Sequence, residues 1–147
     1  MYNEDQYEEF CNKMEAKYPK MFVKGYGGFA VGAGWWPILE SLCANIQSYV
    51  DWKQEQKEKY SRGEGCPQVV VEQIKVKFGG LRFYYQGGDN RVDGMVRMAE
   101  AWADHSCEMC GKPGERRSGG WIRTLCDEHE AERQRQMKER FGDDSDL

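Results

Sequence analysis

The sequence predicts an α+β protein: helices packed on a small antiparallel β-hairpin or sheet, with a treble-clef-like zinc-binding module at the C-terminal end. Three observations carry this. Asn3 to Lys17, Pro37 to Tyr60 and Val92 to Ala103 repeat apolar residues at helical spacing. Val69 to Tyr85 alternates instead, around Gly79-Gly80, as a hairpin does. Cys107 to His129 carries C-x2-C-x15-C-x2-H, the spacing of two paired metal ligands on each side of a loop.

The first helix is framed by Asn3, a capping residue, and Pro19, which cannot continue it; Tyr7, Phe10, Cys11 and Met14 form its packing face. Gly25 to Gly34 then places five glycines in ten residues, with Phe29-Ala30-Val31 as a short strand between them. Pro37 fits the first turn of the second helix, whose buried stripe is Leu39, Leu42, Cys43, Ile46, Tyr49 and Val50. A glycine loop feeding a helix can hold an anion on its N–H groups, which makes Gly32, Gly34, Trp35 and Trp36 candidate ligand contacts. An ordinary strand-to-helix loop explains the same residues, since no phosphate-binding fingerprint is complete.

In the hairpin, the step from Val71 to Ile74 breaks alternation and predicts a bulge near Glu72-Gln73. With the apolar set facing the core, Lys75, Lys77, Arg82 and Tyr84 share the other face. That face is either a candidate anion or nucleic-acid surface or a solvated one. The third helix is expected to turn Met95, Val96, Met98, Ala99 and Trp102 inward, with Asp89 or Asn90 near its cap.

The chain thus divides into a body (1–105), a finger with its helix (106–141) and an acidic tail (142–147) expected to be disordered. Within the finger, Ser118-Gly119-Gly120 reads as a turn, Trp121 to Leu125 as the returning strand, and Asp127 to Phe141 as a helix. Three thiolates (Cys107, Cys110, Cys126) and one imidazole (His129) make a closed shell, so one structural Zn²⁺ per chain is expected. Lys112, Arg116, Arg117 and Arg123 beside Trp121 form a candidate nucleic-acid surface.

A formal net charge of −4 and a mean hydropathy of −0.86 argue against non-specific DNA coating and for a soluble chain. No apolar run approaches membrane-spanning length, and the acidic N-terminus is unlike a signal peptide. Cys11, Cys43 and Cys66 are scattered and read as reduced thiols, a disulfide framework being the alternative. Of the two histidines one is a metal ligand, and no nucleophile elbow, P-loop or H-E-x-x-H is present, so the chain reads as a binder and not as an enzyme.

Four blocks together carry a family resemblance: G-W-W-P-I-L-E-S-L-C from Gly34, K-V-K-F-G-G-L-R-F-Y-Y from Lys75, G-M-V-R-M-A-E from Gly94, and the finger itself. They resemble a family of small proteins encoded by tailed phages, prophages and some bacteria. The resemblance covers about Gly25 to His129 and implies a phage accessory product acting in the bacterial host cytoplasm. The expected function is counter-defence or host takeover by capture of a host protein or a nucleotide signal. A nucleic-acid-binding finger serving phage replication or transcription is the alternative.

Overall fold

The computed structural model describes residues 3–142. All but Gly142 of the acidic tail lies outside them.

Helix α1 (Glu4–Lys17) starts where Asn3 Oδ1 accepts from the Gln6 N–H while Gln6 Oε1 accepts from the Asn3 N–H, and it buries Phe10 and Met14. Strand β1 (Phe29–Ala30) leads through a 3₁₀ turn (Ala33–Trp35) into helix α2 (Trp36–Tyr60), with Pro37 in its first turn. Its buried stripe is Ile38, Leu39, Leu42, Cys43, Ile46 and Val50. Strands β2 (Val70–Lys77) and β3 (Gly80–Gln86) form the expected antiparallel hairpin, with the register slipping between Val71 and Gln73 where the bulge was expected.

The sheet is mixed, not purely antiparallel. Its order is β1-β2-β3, and β1 runs parallel to β2, Phe29 opposite Ile74 and Ala30 opposite Lys75. The 25-residue α2 is the crossover that makes a parallel neighbour reachable. Side chains occupy a main-chain donor on each of the outer strands: the Tyr7 hydroxyl accepts from the Phe29 N–H, and Glu100 from the Phe83 N–H. Such caps discourage another strand from adding there.

The hairpin turn lies one residue earlier than the glycine pair suggests. Phe78 (φ 52°) and Gly79 (φ 77°) are its central residues, between the paired Lys77 and Gly80. Two successive positive φ values fit the turn whose twist matches a β-hairpin.

Helix α3 (Asn90–Ala103) is capped by Asp89, which accepts from the N–H groups of Arg91 and Val92. Its inward face corrects the sequence expectation. Val92, Val96, Ala99 and Ala103 are buried and Met95 partly so, whereas Met98 and Trp102 are exposed. The i, i+4, i+7, i+11 stripe selects small residues because α3 packs closely on α2 and β3.

The main core lies between the helices and one face of the sheet, around Trp35, Phe29, Met14, Leu39, Ile46, Ile74 and Leu81. The C-terminal region adds strands β4 (Glu115–Arg117) and β5 (Arg123–Leu125), paired antiparallel, and helix α4 (Asp127–Phe141). It has a separate, minute cluster of Cys107, Leu125 and Cys126 with Met109 against it, and α4 has no buried residue. So little apolar burial cannot order about 35 residues by itself. No helix among the described residues is long and apolar enough to cross a membrane.

Candidate metal centre and ligand surface

Cys107 and Cys110 sit in the turn after α3, and Cys126 and His129 at the start of α4. Cys126 is the N-cap of that helix, its Sγ accepting from the His129 N–H at 3.4 Å. The capping role aims the thiol and the ring at the same point, because residues three apart meet on one side of a first turn. All four ligand atoms lie within 4.8 Å of one another. A tetrahedral zinc shell has edges of about 3.8 Å between sulfurs and about 3.5 Å between sulfur and nitrogen, from its bond lengths. Here Cys110 Sγ and Cys126 Sγ are 3.8 Å apart, while His129 Nδ1 stands 3.5 Å from Cys107 Sγ and 3.3 Å from Cys126 Sγ. The group can hold a metal ion, and its edges are consistent with zinc.

The thiol chemistry fits as well. Burial pushes Cys107 up, but backbone hydrogen bonds at Cys126, Cys110 and Met109 outweigh it and hold the thiol below its ordinary value. Burial pushes Cys110 up. Binding a divalent ion would displace the thiol protons and offset the charge of three sulfurs held this close.

The glycine loop meets this centre. The Gly34 N–H donates to the Glu108 carbonyl at 2.8 Å, the Gly32 N–H to Glu108 Oε2 at 3.1 Å, and the Trp35 indole to the Ser106 carbonyl at 2.9 Å. A Cβ on Gly34 would lie 2.1 Å from the Cys107 carbonyl oxygen and 2.7 Å from the Cys110 nitrogen. A second contact joins the hairpin turn to β5: buried Thr124 donates to the Gly79 carbonyl and accepts from Arg116. The metal turn and β5 are therefore bonded directly to the body.

This placement separates the candidate ligand residues. Gly32 and Gly34 face the metal turn, with their N–H groups already donated, and do not form an open anion loop. Trp35 is fully buried. Trp36 stacks on Phe10 at 4.5 Å and packs on the core, so neither indole is a free platform. Lys75, Lys77, Arg82 and Tyr84 do share the outer face of the sheet: Lys75 is directly opposite Arg82, and its ammonium lies over the Tyr84 ring at 5.6 Å. Lys75 and Tyr84 border a groove of about 580 Å³ with Ala30 and the earlier glycines, Gly25 and Gly27.

The finger cations behave differently. Lys112 faces Glu128, Arg116 faces Asp104, Arg117 faces Glu115 and Asp127, and Arg123 faces Glu108. Among the described residues no carboxylate comes within ion-pair distance of Lys75, Lys77 or Arg82. Trp121 is 84% exposed at the finger loop and borders a cleft of about 390 Å³ with Phe78 and Lys77, residues that the sequence did not connect to it. Phe78 could have been noticed as an aromatic beside a turn glycine; its pairing with Trp121 is tertiary.

Comparison with known proteins adds no relative: no family model, curated protein or solved structure matches the chain.

Proposed function

We propose that this protein is a non-enzymatic binder whose C-terminal module is a treble-clef-like finger built on one structural zinc, and whose ligand surface is the outer face of the sheet. The carrying observation is the contrast in pairing: exposed Lys77 and half-buried Lys75 and Arg82 share one sheet face with no carboxylate within ion-pair distance among the described residues, beside Tyr84. Cations left unpaired on one face favour a phosphate-bearing ligand, and a tyrosine beside them gives a base a stacking partner. The zinc shell has four protein ligands and no open position, which suits support rather than catalysis. The resemblance to phage and prophage products supports a counter-defence or host-takeover role in the bacterial cytoplasm; of the captured partners expected, a host protein or a nucleotide signal, the unpaired cations favour a ligand of the phosphate-bearing, nucleotide class. The finger is disfavoured as a phosphate surface, because Arg116 and Arg117 are bonded to acids at 2.7 Å and Arg123 faces Glu108, leaving Lys112, 3.9 Å from Glu128, as its one loosely held cation among these four.

The test is native mass spectrometry of protein from bacterial cells, followed by titration with nucleoside triphosphates and cyclic dinucleotides. One zinc per chain and saturable nucleotide binding, lost in Lys75→Glu/Arg82→Glu, are expected. Absence of binding across the panel, or binding untouched by that pair, would overturn the assignment.

A further inference from the structure

The cationic sheet face does not end at the sheet. Lys75 and Lys77 stand about 6.7 Å apart, as alternate residues of one strand do. Beyond Lys77 the hairpin tip presents Phe78, 70% exposed in the left-handed region at φ 52°. Only small or short polar residues hold that conformation without cost, and here burial does not compensate a bulky ring. Phe78 and Lys77 share their cleft with Trp121 and Ile122. Trp121 in turn borders a second cleft, of about 620 Å³, with Arg140 and Phe141 at the end of α4. Phe141 is 64% exposed, with the Arg140 guanidinium 5.7 Å from its ring centre. Val76 lines both clefts, so the two are contiguous.

From the outer sheet face around the hairpin tip, two cations are followed by three exposed aromatic rings: Lys75 and Lys77, then Phe78, Trp121 and Phe141 with Arg140. A single nucleotide uses one base and one phosphate cluster and would leave most of this surface bare. Repeated bases with phosphates between them match it, because stacking platforms beside a basic groove are what single-stranded nucleic acid requires. Of the carboxylates nearby, Glu108 is almost buried and paired with Arg123, whereas Glu72 is exposed and lines the groove that Lys75 and Tyr84 border, so the favoured path leaves the sheet on the Lys77 side.

We propose that the ligand is a single-stranded polynucleotide, running from the sheet face across the hairpin tip onto the finger. This rests on the sheet-face reading above and extends it. Docking of the finger on Gly79 and Gly34 holds the two halves in line, so an intact metal centre is needed for the long ligand and not for phosphate contact at Lys75.

The experiment is fluorescence anisotropy of the zinc-loaded full chain with labelled 15-mers of dT and rU. The same strands annealed to complement, a glutamate 15-mer and the mononucleotides serve as competitors. Saturable binding of the single strands is expected, weakened by salt. Trp121→Ala and Phe78→Gly, both at exposed side chains, should each weaken the 15-mers by about 5- to 100-fold and leave mononucleotide binding unchanged. Mononucleotide binding without 15-mer binding would overturn this inference alone; binding of neither would overturn the sheet-face reading too. Equal binding of the duplex or of the glutamate 15-mer, or indifference to both substitutions, would also overturn it.

Discussion

The Gly34 amide donates to the Glu108 carbonyl at 2.8 Å, which bonds the residue two before α2 to the residue after the first metal ligand. Body and metal turn are thereby one packed unit at this point. Gly34→Ala must push a methyl into main-chain atoms, with Cys107 O only 2.1 Å away, and backbone cannot move aside cheaply. We expect a loss of about 3 kcal/mol or more in stability together with weaker metal retention. Thermal melting and zinc release to a chromogenic chelator measure both; a wild-type melt would contradict the packing described.

Metal removal should act on more than the four ligands. The finger's own apolar cluster is three buried residues, so we expect its order to depend on a bound ion and on docking. Cys107→Ser or Cys126→Ser should cost on the order of 4 kcal/mol and release the finger from the body. Circular dichroism with metal analysis reads this out. Unchanged melting and unchanged metal content would sink the structural-zinc assignment.

Asp89 offers a pH test remote from the metal. It caps α3 and accepts from the Tyr49 hydroxyl. Burial would raise its carboxyl, but the Tyr49 bond and the Val92 and Arg91 amides outweigh burial and hold it below the ordinary range. A carboxyl lower in the folded than in the unfolded chain stabilises above the unfolded value, about 3.9. That contribution disappears as pH falls through the folded value. Tyr49 is pushed the other way, to about 12, first by its bond to Asp89, so its share is lost only as pH rises through that value. Asp89→Asn keeps a capping oxygen and should flatten the acid limb of the stability profile, whereas Asp89→Ala should also cost about 1–2 kcal/mol at neutral pH. An unaltered acid limb in Asp89→Asn would refute the coupling.

Phe78 makes the opposite prediction for stability. Relieving an exposed ring from the left-handed region should stabilise the hairpin, so Phe78→Gly is expected to gain about 1 kcal/mol, or about 2–4 °C in melting temperature. A lower melting temperature would mean that the ring contributes packing which its exposure does not suggest.

Much of the metal site was legible in the sequence because it is local. Two ligands within one turn at each end of a loop, and a cysteine that both caps a helix and meets a histidine three residues on, need only short-range geometry. The bulge after Val71 and the first two helices were legible for the same reason: period and capping are written in neighbouring residues. Tertiary structure alone decided what each exposed-looking residue faces. Gly34 reads as part of a candidate anion loop, or of an ordinary strand-to-helix loop, until Glu108, 74 positions later, occupies its N–H. Arg116 and Arg123 read as free cations until folding sets Asp104 and Glu108 against them, while Lys75 and Arg82 find no such partner among the described residues. Met98 and Trp102 have the apolar character of an inward face, yet close packing of α3 gave that place to Ala99 and Ala103. Hydrophobicity and charge are properties of single residues, whereas burial and pairing belong to surfaces brought together from distant parts of the chain.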